Sequence, residues 1–459
     1  MVKMNSMKPA RTHATKPPKE KAFLVGIELR SEPGLIPLED SIGELARLAD
    51  TAGLEIVGET TQKLDTPNPA TYIGSGKVEE IMMLAEETLA DVIIFDNELS
   101  PRHQRELEER FGTNVRVIDR TALILDIFAQ HAHTSDGILQ VALAQYEYRL
   151  PRLTRAWTHL ARQAGGGGGR TGAVGGVGLR GPGETQLEVD RREIHKRITA
   201  VKKELEKVRA HRLRYRNQRK RSRIPLISLV GYTNAGKSTL LNRLTKSDVY
   251  VADKLFATLD PTTRRIALPG GHDALLTDTV GFIQKLPTQL IAAFQATLEE
   301  ISEADLLLHV VDITHPNALE QTRSVEQTLA ELNASHIPSV IVLNKIDNLP
   351  ENNVLQEISD DFPKAVAVSA LKGTGMAELL KMIEVELFEN FVDASVQIPF
   401  TEGQLISLFH EQGHVKRVEH NRKGVFIQGQ LPGRLLAQFT PFNKKEPDTD
   451  PDMPTVEMD

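Results

Sequence analysis

Hydrophobic and polar positions follow a strand-and-helix rhythm in the N-terminal part of the chain. Short apolar runs such as AFLVGIEL, LEIVGETT and DVIIFD are separated by amphipathic stretches such as SIGELARLADTAG and SPRHQRELEERFG. The apolar runs predict buried strands, and the amphipathic stretches predict helices between them. Residues 21–133 are therefore predicted to form a small, mostly parallel α/β domain, after a disordered basic tail at 1–20.

The pattern changes to a heptad period in residues 134–223. One apolar seam recurs at spacings of four and three: Leu139, Leu143, Tyr146, Leu150, Leu153, Trp157 and Leu160. The second seam contains Ile194, Ile198, Val201, Leu205, Val208 and Tyr215, with Arg212 at one inward position. Pro151 should kink or restart the first helix. Two such helices around the glycine-rich residues 165–183 predict an antiparallel hairpin with a distant tip; an ordinary helical linker is the alternative.

The remaining chain returns to α/β alternation. Residues 224–390 carry the apolar runs PLISLVGY, ALLTDTV, LLLHVVD, SVIVLNK and AVAVSA, and they predict a second α/β domain. Residues 391–442 predict a small C-terminal α/β appendage, and the acidic residues 443–459 predict a disordered tail. The fold class is thus a multidomain α/β chain.

Composition and charge narrow the class of protein further. The 459 residues include no cysteine, which excludes disulfides, thiolate metal sites and thiol catalysis and fits a cytosolic setting. No apolar run reaches the roughly 18 residues that span a bilayer. The leader shows no signal-peptide pattern; a transit peptide is conceivable, but a disordered tail fits its prolines better.

Positive charge is concentrated in one helix. Residues 191–223 contain fifteen Lys and Arg against three Glu, although the net charge of the chain is −7. Such a helix attracts phosphate backbones, and glycines at the predicted tip allow close approach to an irregular surface. The candidate RNA-binding residues are Arg170, Arg180, Arg212, Arg216, Arg219 and Lys220. A solvated helix face and a disordered linker are the alternatives.

A phosphate-binding loop lies at GYTNAGKST, residues 231–239, directly after the apolar strand PLISLV. It matches G-x-x-x-x-G-K-S/T, in which backbone amides converge on phosphate oxygens at a helix N-terminus. Lys237 would neutralise the β- and γ-phosphates, and Ser238 would bind Mg²⁺. The predicted nucleotide-binding residues here are Gly231, Tyr232, Thr233, Asn234, Ala235, Gly236, Lys237, Ser238 and Thr239.

DTVG, residues 278–281, supplies the partner motif. Asp278 would hold Mg²⁺ through its coordination shell, and the amide of Gly281 would meet the γ-phosphate. The segment between the two motifs, LFATLDPTTRR, should contain a mobile switch whose hydroxyl closes on the metal, and its chemistry alone leaves Thr258, Thr262 and Thr263 open. The predicted nucleotide-binding residues in these segments are Phe256, Ala257, Thr258, Leu259, Asp260, Asp278, Thr279, Val280 and Gly281.

NKID, residues 344–347, selects the base. Asp347 can accept two donors from guanine, whereas adenine would leave the carboxylate unpaired at a cost of about 1–3 kcal/mol or more. The predicted base-site residues are Asn344, Lys345, Ile346 and Asp347, with Ser369 and Ala370 placed so that a backbone amide reaches the guanine carbonyl oxygen. Phe282 is the puzzle, because it follows DTVG where a hydrolase often keeps a water-orienting side chain.

These motifs resemble the translation-factor-related GTPases, and other blocks resemble the HflX family. The blocks are YIGSGK (72–77), FDNELSPRHQRELE (95–108), DRTALILDIFAQHA (119–132), RGPGETQLE (180–188) and FATLDPTTR (256–264). The resemblance implies a monomeric GTPase that binds the large ribosomal subunit and splits stalled or idle ribosomes, its hairpin reaching the ribosomal catalytic centre. It also implies that Thr258 binds Mg²⁺ and that Asn234 seats a K⁺ ion.

In that family a hydrophobic residue replaces the catalytic glutamine, so no catalytic residue is assigned and the intrinsic rate should be low. The favoured explanation is that a bound partner completes the catalytic site. In the simplest interpretation, Gln284 is a solvated loop residue. Two other functions remain open: an RNA-binding module with GTP as a structural ligand, and an RNA remodeller driven by ATP through the N-terminal domain. YIGSGK lacks a glycine five residues before Gly76, which favours a helix-capping turn over a second nucleotide site.

Overall fold

The computed structural model describes most of the chain. The described residues are 19–31, 34–112, 115–153, 186–222, 224–245, 255–256, 259, 261–285, 287, 301–349, 362, 365–388, 391–421 and 423–444. In the helix at 186–222, side chains are described for residues 188–208 and 210. No helix in these ranges has both the length and the apolar character that crossing a bilayer requires.

The N-terminal sheet has four parallel strands in the order β2-β1-β3-β4. Its strands are β1 (Lys21–Leu29), β2 (Glu55–Leu64), β3 (Val92–Phe95) and β4 (Arg116–Asp119). Its helices are α1 (Leu38–Thr51), α2 (Ser75–Thr88), α3 (Pro101–Phe111) and α4 (Arg120–His131). β3 is buried throughout, as its continuous apolar run predicts. The predicted parallel α/β arrangement is confirmed.

Two helices of this region begin at side-chain caps. The hydroxyl of Ser100 accepts a hydrogen bond from the amide of His103 at 3.2 Å, and Pro101 occupies the first turn of α3. Asp119 caps α4 in the same way, accepting from the amide of Ala122 at 2.9 Å. Both caps follow the ends of strands, so the chain turns into each helix close to the sheet's carboxyl edge.

Helices α5 (Ser135–Arg149) and α6 (Gln186–Ser222) pack along the predicted heptad seams. The contacting apolar residues are Leu139, Leu143, Tyr146 and Leu150 with Ile194, Ile198, Val201 and Leu205. Lys202 and Glu147 form an ion pair beside the seam at 2.9 Å. Pro151 lies in a 3₁₀ turn, Leu150–Arg152, that ends the first helix. The rest of the first seam and the glycine-rich tip lie outside the described residues, so the hairpin stays a prediction.

The central sheet has six strands in the order β10-β9-β8-β5-β7-β6, all parallel except β6, which is antiparallel to β7. The strands are β5 (Leu226–Gly231), β6 (Thr262–Ala267), β7 (Asp273–Asp278), β8 (Leu306–Asp312), β9 (Ser339–Asn344) and β10 (Ala365–Ala367). Three of its helices are α7 (Lys237–Thr245), α8 (Ala318–Glu331) and α9 (Met376–Phe388). The strand ends Gly231, Asp278 and Asn344 therefore meet at one carboxyl edge, where open α/β sheets bind ligands.

The C-terminal region is a three-stranded antiparallel sheet in the order β11-β13-β12. It comprises β11 (Phe391–Ile398), β12 (His414–Asn421) and β13 (Gly424–Pro432), with α10 (Gly403–Gln412) and α11 (Gly433–Phe439). Phe409 and Phe439 meet edge-to-face in its core, with ring centroids 5.4 Å apart. Mixed α/β structure was predicted for this segment; the limits of all the units stay predictions.

One apolar core is shared by the N-terminal and central sheets. Phe128 of α4 meets Phe256 edge-to-face, with ring centroids 4.6 Å apart and an interplanar angle of 86°. Phe282 and Ile283 are buried in the same cluster as Leu45 of α1. The described part of the predicted switch segment and the residues after DTVG therefore both pack against helices of the N-terminal unit, a name we use for residues 21–133 with their sheet.

Candidate functional site

The phosphate loop between β5 and α7 has a backbone that glycine alone tolerates at two positions. Gly231 has φ 147° and Gly236 has φ 96°. A Cβ on Gly231 would collide with the backbone carbonyl of Val310, and one on Gly236 with the side-chain amide of Asn344. The loop therefore lies close against the sheet at the N-terminus of α7, in the geometry that binds phosphate.

Lys237 is buried beneath this loop. Its Nζ donates to the carbonyl oxygens of Gly231 at 3.1 Å and Tyr232 at 2.8 Å. A lysine ammonium has three donors, so one remains for a phosphate oxygen. Burial lowers the pKa of Lys237 to about 8, against the opposing charge of Asp278. Burial and the lysine together lower the pKa of neighbouring His309 to about 4, so this histidine is neutral near pH 7 and adds no second positive charge.

Ser238 and Asp278 provide an oxygen pair beside the loop. The hydroxyl of Ser238 donates to Oδ2 of Asp278 at 2.6 Å, and Asp278 is fully buried at the end of β7. Mg²⁺ prefers oxygen ligands and usually keeps waters and substrate phosphates in its shell, so these two residues fit it. Within the described ranges, no three His, Cys, Asp or Glu side chains group as a metal site. Thr258, the predicted third ligand, lies outside the described residues.

The base site is preorganised by hydrogen bonds between its motifs. Asn344 donates from Nδ2 to the carbonyl of Ala235 at 2.8 Å, which ties the base site to the phosphate loop. Ser369 donates its hydroxyl to Oδ1 of Asp347 at 2.7 Å. That bond fixes the carboxylate and leaves its other oxygen for a base. Lys345 has φ 69° and pairs with Asp312 at 2.7 Å.

The backbone amides of Ser369 and Ala370, which were predicted to reach guanine, already donate hydrogen bonds within the protein. The amide of Ser369 donates to the carbonyl of Thr374 at 3.1 Å, and the amide of Ala370 donates to Oδ1 of Asn344 at 3.0 Å. A bond from either amide to a guanine oxygen would therefore have to be shared with these partners. The loop itself is ordered by its own hydrogen bonds.

Arg243 of α7 is a site residue that the sequence analysis missed. Its Nε donates to the carbonyl of Ala370 at 3.0 Å, and its Nη2 donates to the carbonyl of Leu371. The guanidinium therefore holds the loop after Ser369 against the helix that begins at the phosphate loop. No local motif marks this residue, because its partners lie more than 120 positions away, as the separations of 127 and 128 show.

Phe282 contacts the apolar core through its side chain and the phosphate loop through its backbone. Its side chain is 2% exposed and lies in the core shared with the N-terminal unit. Its backbone bridges the phosphate loop: its amide donates to the carbonyl of Gly231 at 3.0 Å, and its carbonyl accepts from Thr233 at 2.7 Å. The phenyl ring is thus a packing residue, and the segment that carries it is fixed against the loop.

Gln284 is not the solvated loop residue that the sequence favoured. It is 7% exposed, and its Nε2 donates to Ser41 and to Glu44, both at 2.9 Å. Its side-chain amide is therefore bound to α1. The reason lies in tertiary packing, because both partners come from the N-terminal unit.

The predicted site residues divide into three groups. At the carboxyl edge of the central sheet and its following loops lie Gly231, Tyr232, Thr233, Asn234, Ala235, Gly236, Lys237, Ser238, Thr239, Asp278, Thr279, Val280, Gly281, Asn344, Lys345, Ile346, Asp347, Ser369 and Ala370. Phe256 and Leu259 are instead buried in the shared core. Ala257, Thr258, Asp260, Arg170 and Arg180 lie outside the described residues, as do the side chains of Arg212, Arg216, Arg219 and Lys220.

Comparison with known proteins decides the family. Three family models match consecutive parts of the chain: "GTP-binding GTPase N-terminal" at residues 39–129, "GTP-binding GTPase Middle Region" at 131–219 and "50S ribosome-binding GTPase" at 226–345. GTPase HflX of Caldanaerobacter subterraneus subsp. tengcongensis is 45% identical over 424 residues, which is 92% of this chain and 94% of its own length. The chain belongs to the HflX family of GTPases.

Other HflX relatives agree. GTPase HflX of Escherichia coli is 41% identical over 430 residues, covering 93% of this chain and 96% of its own. Among solved structures, a GTP-binding protein from Sulfolobus solfataricus in complex with GDP is 24% identical and has a TM-score of 0.40, over 81% of this chain and 99% of its own. The HflX relatives and the GTPase family model at residues 226–345 show that this chain is an enzyme that hydrolyses GTP to GDP and phosphate.

Proposed function

We propose that this GTPase binds the large ribosomal subunit and dissociates stalled or idle ribosomes, with GTP hydrolysis driving release and recycling. The position of Phe282 and Gln284 carries the proposal. The phenyl ring is buried in the shared core, and the amide of Gln284 is bound to α1. Neither side chain orients water, so the intrinsic rate is low and a partner completes the site. A partner-supplied arginine alone accelerates such reactions by about 10³–10⁵.

Two features support the ribosome as that partner. The family description that matches residues 226–345 reads "50S ribosome-binding GTPase". Helix α6 also presents a basic surface: Arg191, Arg192, Lys196 and Arg197 are all exposed in its described part. Exposed basic residues of this kind bind phosphate backbones with an affinity that falls steeply as salt rises.

The ions belong to the same proposal. Ser238 and Thr258 would hold Mg²⁺ directly and Asp278 would hold it through water, and the ion would supply charge neutralisation at the β- and γ-phosphates. A K⁺ ion beside the phosphates is proposed near Asn234, which is exposed at the crest of the loop with φ 61°. Lys237 contributes its remaining N–H donor, and the amide of Gly281 meets the γ-phosphate.

Ribosome splitting followed by light scattering tests the proposal. We expect splitting with GTP and with a hydrolysis-resistant GTP analogue, but repeated turnover with GTP only, because hydrolysis drives release. Lys237→Ala should abolish splitting by removing the phosphate ligand. Splitting that survives in this variant would contradict the proposal and favour an RNA-binding module in which GTP is structural.

The basic helix has its own test. Replacing Arg212, Arg216, Arg219 and Lys220 by glutamine should weaken binding to isolated large subunits. It should also reduce the slope of log affinity against log salt by up to about 0.7–0.9 for each phosphate that the helix no longer neutralises. The control replaces exposed Arg102 and Arg105 of α3 by glutamine. Equal salt slopes in the two variants would exclude the helix as the RNA-binding surface.

The second candidate function, ATP-driven remodelling through the N-terminal unit, receives less support from YIGSGK. Lys77 donates to Glu80 at 2.7 Å and to Thr60 at 3.1 Å, at the start of α2. Its ammonium is thereby paired within the protein, in the first turn of α2. Asp347→Asn separates the two functions, because it should transfer splitting from GTP to xanthosine triphosphate. An ATP-dependent splitting activity that is unchanged in this variant would favour the second candidate.

A further inference from the structure

A buried polar network joins the GTP site to the N-terminal unit. Glu44 of α1 is its centre and is 3% exposed. One carboxylate oxygen accepts from the hydroxyl of Tyr232 at 2.6 Å. The other accepts from Gln284 at 2.9 Å and from Arg120 at 2.6 Å. Tyr232 belongs to the phosphate loop and Gln284 follows DTVG, so one carboxylate binds both nucleotide-contacting segments.

The charges of this buried network balance only when the N-terminal unit contacts the segment after DTVG. Within the N-terminal unit, Arg120 also donates to Asp96 at 2.7 Å, so two buried carboxylates share one guanidinium. Lys285, from the segment after DTVG, pairs with Asp96 and supplies the second positive charge. Burial alone would raise the pKa of Asp96, but Arg120 and Lys285 outweigh it and hold the pKa below its usual range. Moving the segment away would leave a buried carboxylate uncompensated, which proteins strongly disfavour.

The network also fixes the segment against the phosphate loop. The amide of Gln284 donates to the hydroxyl of Tyr232 at 2.9 Å, so Tyr232 connects Glu44 with the backbone after DTVG. Gly281 is held beside the loop: a Cβ there would lie 2.9 Å from Cα of Thr233 and 3.0 Å from Nζ of Lys237. Its backbone is thus next to the ammonium that meets the γ-phosphate.

We propose that Glu44 is a positioning residue for the GTP site, which holds Gly281 in place for the γ-phosphate and so favours GTP over GDP. GDP lacks the group that Gly281 contacts, so only GTP gains from a segment that is already placed. Linkage makes the effect reciprocal: GTP stabilises the contact between the units, and GDP does so less. The N-terminal unit thereby senses which nucleotide is bound.

Nucleotide selectivity of the purified full chain tests the inference without ribosomes, so its outcome is independent of the proposed partner. Affinities for GDP and for a hydrolysis-resistant GTP analogue are measured in Glu44→Gln and Tyr232→Phe. We expect the preference for the analogue over GDP to fall about five- to tenfold in each variant, within the usual range of coupling between sites. General destabilisation of the protein would weaken the binding of both nucleotides and leave the ratio of their affinities unchanged.

Two controls sharpen the test. Glu39→Gln makes the same chemical change on the exposed side of α1 and should leave the ratio at its wild-type value. The double variant of Glu44 and Tyr232 should lose less selectivity than the two single losses combined, because both changes remove the hydrogen bond that the two residues share. If Glu44→Gln does not fold, Tyr232→Phe decides, since it keeps the buried ring. An unchanged ratio in a folded Tyr232→Phe would overturn the inference.

Hydrogen exchange gives an independent readout. Amides of α1 should exchange more slowly with the GTP analogue than with GDP in the wild-type protein. That difference should disappear in Tyr232→Phe. Equal protection by the two nucleotides in the wild-type protein would also overturn the inference.

Discussion

Replacing Phe282 by glutamine introduces the side chain that many nucleotide hydrolases carry after the DxxG glycine. In this protein the change removes a phenyl ring that is 2% exposed and packs in the core with Phe128 and Phe256. Loss of a buried phenylalanine costs about 3–5 kcal/mol, and an amide buried without a partner adds about 1–3 kcal/mol. We therefore expect a destabilisation of at least about 3 kcal/mol, concentrated where the N-terminal unit meets the GTP site.

Thermal unfolding and hydrogen exchange of residues 278–285 measure the loss, and phosphate release without ribosomes measures catalysis. Unfolding should occur at lower temperature, and phosphate release should not become faster, because position 282 faces the core. Phe400→Gln is the matched control: Phe400 is 59% exposed, and its replacement should change stability by less than about 0.5 kcal/mol. Wild-type stability of Phe282→Gln together with faster phosphate release would show that this side chain reaches the phosphates, and would refute the assignment.

Three further predictions concern the nucleotide contacts. Arg243→Gln removes two hydrogen bonds to the base loop that are worth about 1–1.5 kcal/mol together, so labelled GDP and GTP should both dissociate about five- to tenfold faster in stopped-flow experiments. Arg323→Gln, at an exposed position of α8, should change neither dissociation rate. An effect on one nucleotide alone would contradict a base-loop role. Burial lowers the pKa of Lys237 to about 8, and bound phosphates raise it, so binding requires proton uptake at higher pH. Titrations should therefore show a GDP dissociation constant that is flat below pH 8 and rises by up to about tenfold per pH unit above it; a flat profile to pH 10 would contradict a buried, titrating lysine. Ser369→Ala should weaken the binding of GDP and GTP about fivefold. The binding of ITP (inosine triphosphate) should be less affected, because inosine lacks the amino group that Asp347 binds. Equal losses of affinity for all three nucleotides would contradict the role of Ser369 in holding Asp347.

Local motifs were enough to predict that the candidate GTP-site residues lie together, because each motif carries its own geometry. A glycine at positive φ before Lys237, an aspartate ending an apolar strand and NKID after another strand lie on consecutive loops of one sheet. Parallel strands bring such loops to the same edge, so order along the chain is enough to place them together. The same reasoning predicted the parallel N-terminal sheet from its apolar runs.

Contacts between units could not be predicted in this way. Phe282 and Gln284 are buried by helices more than 150 positions earlier in the chain, and nothing in DTVGFIQK announces those neighbours. One signal was available: Glu44 lies beside Leu45 on the buried side of α1, between Ser41 and Leu48. A carboxylate on the apolar face of a helix needs a buried partner, and searching for that partner would have led to Arg120.

Phosphate release by the purified protein, measured alone and with isolated large ribosomal subunits at two salt concentrations, tests the central claim most directly. We predict slow hydrolysis by the protein alone and strong stimulation by large subunits that weakens at the higher salt concentration, because the ribosome completes a site whose own side chains do not orient water. Fast hydrolysis without ribosomes would contradict this, since it would require a catalytic group inside the chain. Absence of stimulation at either salt concentration would contradict the proposed partner.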